Sequence, residues 1–220
     1  MDYLRSEDEQ EERLKAWLKS NGSGLIGALA IGIAGVLGWQ QWQSYQANQA
    51  ADAASRYQQL LELSAAEFSD PAQAENYATL VSVASGLTDA HPKTTYAAMA
   101  GMVVAAQAVE KGELDVAVAE LTRARDTLDA PELIALADLR LARLEAELGQ
   151  VEAALARVRG VTYAGLSGVK KEIEGDLLLQ LGQVAEARVA YLAAQEALTT
   201  AGITQPAIAL KLSGLPGAAQ

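Results

Sequence analysis

The chain has 220 residues, half of them hydrophobic but only 5% aromatic, with no cysteine and a formal net charge of −11. The missing thiols exclude a disulfide framework and a thiolate metal site, and the acidic balance makes nucleic acid and anionic lipid headgroups poor partners. Scarce aromatics and abundant alanine favour closely packed helices over sheets, so the expected fold class is all-α.

Residues 1–21 are expected to form a cytoplasmic amphipathic tail. Ser6 and Glu9 have the spacing of a capping box, opening a helix in which Leu14, Trp17 and Leu18 share one face suited to a membrane surface. Asn21-Gly22-Ser23 matches a glycosylation sequon, but at a membrane edge it reads better as a helix-ending Asn-Gly turn.

Residues 22–45 follow as a transmembrane helix. No charged side chain occurs from Ser20 to Ala51, and the run from Gly22 to Trp42 covers about 30 Å as a helix, the hydrocarbon thickness of a bilayer. Trp39, Trp42 and Tyr45 gather at one end as an interfacial belt would, with Trp17 near the other. The acidic flank Asp8-Glu9-Gln10-Glu11-Glu12 and the absence of a cleavage-like site close to Trp39 argue against a removed signal peptide. Arg5, Arg13, Lys15 and Lys19 precede the span and only Arg56 follows closely, which predicts a cytoplasmic N-terminus and a periplasmic remainder. Gly24, Ala28 and Gly32 recur every four residues, a small-residue face that admits another helix closely.

The portion from residue 46 carries 13 basic and 22 acidic residues and repeats internally. Gly112, Gly149 and Gly182 align, each preceded seven positions earlier by a small residue (Ala105, Ala142, Gly175) and followed five later by an alanine (Ala117, Ala154, Ala187). The glycine permits the left-handed turn of a helical hairpin, and the small residues let its two helices approach. A period of 37 and then 33 residues resembles the tetratricopeptide repeat, which implies a stacked solenoid. Helices are expected at about Pro71–Ala90, Thr95–Lys111, Glu113–Leu128, Pro131–Leu148, Val151–Arg159, Gly165–Leu181 and Val184–Thr200, with a short element over Gln205–Leu212. Gln46–Glu67 continues from the span. The repeat domain is expected to occupy 46–213 and a flexible tail 214–220.

Nothing in the sequence suggests an enzyme, a cofactor or a metal site. His91 is the single histidine and stands before Pro92 at a helix end, so it reads as helix punctuation. Gly165-Leu166-Ser167-Gly168 lacks nucleophile-elbow spacing, and the pairs Glu145/Glu147 and Glu172/Glu174 read as solvated helix surface. Tyr96, Met99 and Met102 form an apolar stripe that suits core packing or, through adaptable methionines, peptide contact.

The block from Glu7 to Gly22, EDEQEERLKAWLKSNG, the glycine-rich span ending GWQQWQSYQ at Gly38–Gln46, and the degenerate repeats together resemble the YfgM-type ancillary subunits of the bacterial Sec translocon. The resemblance implies a single-pass inner-membrane protein whose partners are the SecYEG channel, the membrane-anchored chaperone PpiD and exported client proteins. It implies no catalytic residue. On the residues alone, a membrane-anchored scaffold or regulator for another envelope assembly, such as cytochrome maturation or stress signalling, stays open.

Overall fold

The computed structural model describes residues 3–65 and 73–216, with side chains over 11–65 and 76–216. The described elements are helices: α1 (Tyr3–Ala65), α2 (Gln73–Ala90), α3 (Thr95–Glu110), α4 (Leu114–Thr127), α5 (Pro131–Glu147), α6 (Val151–Gly160), α7 (Ser167–Gln180), α8 (Val184–Thr200) and α9 (Pro206–Gly214). A 3-10 turn at Ala164–Leu166 leads into α7. The expected start of the second helix at Pro71 lies outside the described residues. The chain divides into two units, residues 1–51 and 52–220.

In the first unit, α1 runs through the apolar stretch without a break. This corrects two expectations: the helix already starts at Tyr3, ahead of Ser6, and it passes Asn21-Gly22 rather than ending there. The Asn21 amide donates to the Trp17 carbonyl one turn back at 3.1 Å, and Gly22 does not adopt the positive φ that a stop requires. Among the described residues, α1 alone is long and apolar enough to cross a membrane, and its apolar window is not buried by the rest of the chain.

In the second unit, α3/α4, α5/α6 and α7/α8 pair as three hairpins. Gly112, Gly149 and Gly182 have φ of 76°, 79° and 74°. The amide after each glycine returns to a carbonyl in the last turn of the preceding helix: Glu113 to Ala108, Gln150 to Glu145 and Gln183 to Leu178, all at 2.8 Å. A fourth closure of this kind, at Gly202 with φ 73°, joins α8 to α9 and was not among the expected repeat glycines.

Three clusters of buried side chains follow one another along the array. The first joins the C-terminal end of α1 to α2 and α3 through Leu60, Leu80, Leu87 and Val104. The second packs α3, α4 and α5 through Met102, Leu121 and Leu141, and the third runs from α5 to α9 through Leu139, Val158, Ile173, Tyr191 and Ile208. Helix α5 serves both of the last two, presenting Leu141 to one and Leu139 to the other. Each repeat therefore completes its neighbour's core, and burying one such leucine contributes roughly 1.5–3 kcal/mol.

Ala105, Ala117, Ala142, Ala154 and Ala187 are all buried between paired helices. At Gly175 an added Cβ would stand 2.6 Å from the Tyr191 ring, so only glycine leaves room for that buried aromatic. The Tyr191 hydroxyl donates to Asp176 at 2.7 Å; burial, and then the carboxylate, hold it well above the usual phenol range. Leu215 is 3% exposed and belongs to the third core, which corrects the expected start of the flexible tail at 214; Gly214 is the last residue of α9.

Candidate interaction surfaces

On α1, Gly24, Ala28 and Gly32 are exposed, and neither glycine has any atom within 4 Å of where a Cβ would sit. Close approach by a second helix meets no side chain there. The Trp39 and Trp42 rings lie 5.4 Å apart at 37°, and both, with Tyr45 and Trp17, are exposed on the helix surface.

The expected stripe on α3 is divided by the structure. Tyr96 turns towards the first core, its ring 5.8 Å from that of Tyr57. Met99 and Met102 instead line a hollow of about 320 Å³ between α3 and α5, bordered also by Tyr57 and Ser64 of α1, whose α5 wall is Leu133, Leu136 and Arg140. Met102 lies at its base, buried in the second core. A second hollow of about 190 Å³ shares Met102, Ala106 and Arg140 with the first and extends past Val109 to Arg143 and Leu144. Together they form one apolar groove along neighbouring first helices of two repeats. The α5 wall was missed from sequence because α5 carries apolar residues on several faces. Its stripe Leu133, Leu136, Arg140 does stand at helical spacing, apart from the core stripe Ala135, Leu139, Ala142.

Elsewhere several charges of the array form ion pairs. Arg157 grips Glu145 at 2.6 Å and reaches Asp138 at 3.2 Å, and Arg125 meets Asp138 at 3.1 Å, beside an open hollow of about 690 Å³ at the α6–α7 loop. Glu172 and Glu174, expected on a solvated surface, are buried instead. Lys211 and Gln205 hold Glu172 at 2.8 and 2.9 Å. Burial pushes the Glu174 carboxyl up, but hydrogen bonds from Lys171 and Arg159 outweigh it and leave a net depression. His91 does stand in the turn after α2, yet it is also buried, with Nε2 2.7 Å from Asp52 on α1. That contact, followed by one from Arg56, lowers the Asp52 carboxyl below its ordinary value. Among the described residues, Arg140 and Arg143 have no carboxylate partner.

A family model described as a tetratricopeptide repeat-like domain matches residues 15–217. Three relatives match over most of their length, each named an ancillary SecYEG translocon subunit. The protein of Aggregatibacter actinomycetemcomitans is 30% identical over 216 residues, covering 98% of this chain and 100% of its own. The chain belongs to this YfgM-type family of tetratricopeptide-like ancillary translocon subunits. The Haemophilus influenzae relative is 29% identical over 89% of this chain and 92% of its own length. For the Escherichia coli K12 relative the figures are 28%, 93% and 95%. The family match from residue 15 to 217 spans both the apolar stretch of α1 and the glycine-closed hairpins.

Proposed function

We propose that the chain is an ancillary subunit of the SecYEG translocon that helps hand newly exported proteins to periplasmic chaperones, PpiD among them. Residues 22–45 anchor it in the inner membrane, residues 1–21 lie on the cytoplasmic side, and the repeats from residue 46 work in the periplasm. The observation that carries this reading is the nearly end-to-end match to three relatives named as ancillary translocon subunits. The role is one of contact rather than catalysis. The open small-residue face of α1 seats against a partner helix, and the Met99/Met102 groove touches emerging chains. Tethering raises the local concentration of the repeats near those chains, so weak contacts suffice.

Two measurements test the proposal. Gly24→Leu, Ala28→Leu and Gly32→Leu together should cut recovery of the channel in mild-detergent isolation severalfold, while membrane insertion persists. A photocrosslinker at Met99 should capture exported chains in intact cells. Undiminished channel recovery removes the helix face from the proposal, and the absence of exported chains among the adducts removes the groove.

A further inference from the structure

Resting on that reading, we infer that the α3/α5 groove selects segments of exported polypeptide in which acidic side chains alternate with apolar ones. In a chain with 28 acidic and 17 basic residues, the two hollows of this groove are lined by two arginines and no carboxylate. Arg140 and Arg143 stand one turn apart on α5, beside the apolar floor of Met99, Met102 and Val109. By contrast, Arg125, Arg157 and Arg159 all reach carboxylates of their own domain. Glu147 is four residues beyond Arg143 on α5, and no ion pair joins them; arginine ahead of glutamate is the weaker order for such a pair on a helix.

The guanidiniums are therefore available as planar, two-pronged donors for a carboxylate arriving from outside. The domain's overall negative charge does not cancel this preference, because at physiological ionic strength fields decay over about 8 Å and the groups lining the groove dominate. Apolar side chains supply the contact area and methionines adapt to their shapes, while the arginines set the sign of the neighbouring charges.

The test uses the full chain in a neutral detergent and two peptides of identical apolar residues carrying a neutral dye. One has glutamate and the other lysine at the intervening positions. Each exposed ion pair adds up to about fivefold in affinity, so the acidic peptide should bind about five to twentyfold tighter by fluorescence anisotropy, less so as salt rises. R140Q/R143Q should bring the two peptides within about twofold, and R140K/R143K should keep the order. Equal binding, a preference for the basic peptide, or an acidic preference that survives R140Q/R143Q overturns the inference. If Met99 captures exported chains while the peptides bind equally, the groove stands and the charge selection falls. If Met99 captures nothing and neither peptide binds, both fall.

Discussion

Among the described residues Tyr191 is the largest fully buried side chain, and it fits because residue 175 lacks a Cβ. Gly175→Ala forces a methyl into the ring and should cost about 1–3 kcal/mol, lowering Tm by about 2–12 °C in a thermal melt of the full chain. Gly27→Ala on α1 has nothing within 4 Å and should leave the melt unchanged. An unshifted Tm for Gly175→Ala would mean that the ring has another place to go. The small-residue position itself was readable, since Gly175 aligns with Ala105 and Ala142 once the repeat glycines are superposed. The identity of what fills it was not, because that depends on which helix faces which. The same limit hid the buried Glu172 and Glu174. A glutamate on a helix reads as solvated until the lysine that covers it, here 39 residues away for Glu172, is brought close by the fold.

At the scale of elements, glycine and proline punctuation made the hairpins legible to within a residue or two, because each turn is decided by its own few residues. The groove and the α1–α2 joint were not, since both arise from stripes on helices distant in sequence. The docking of α9 is the clearest case. Lys211 bridges Glu172 and Asp176 on α7; burial would lower its pKa, but those carboxylates overcome this and hold it above the ordinary lysine range. A raised folded-state pKa gives stability that is complete below the unfolded value, about 10.4, and lost as pH climbs through the folded one. Asp52 and Glu174 are depressed, so their contributions hold above about pH 4 and fade as pH falls through their folded values. Melting temperature should thus plateau between about pH 5 and 10 and drop on both sides. Lys211→Met should cost about 1–3 kcal/mol at neutral pH and soften the alkaline drop. A melt of Lys211→Met that matches the parent at every pH would show that α9 is held by its apolar face alone.

For the molecule as a whole, a repeat array needs its ends covered, since an inner repeat face is apolar by construction. Here α9 does so, with Ile208 and Leu215 seated in the last core. A chain stopped after Thr204 leaves that face open, and in neutral detergent it should self-associate in a light-scattering measurement while the full chain stays monodisperse; a monodisperse truncation would mean that α8 is a sufficient end. The hairpin closed at Gly202 is thus a terminator as well as a turn. Anyone wishing to lengthen the array would have to splice new units upstream of α7, because material grafted beyond Leu215 would find no docking edge on which to grow.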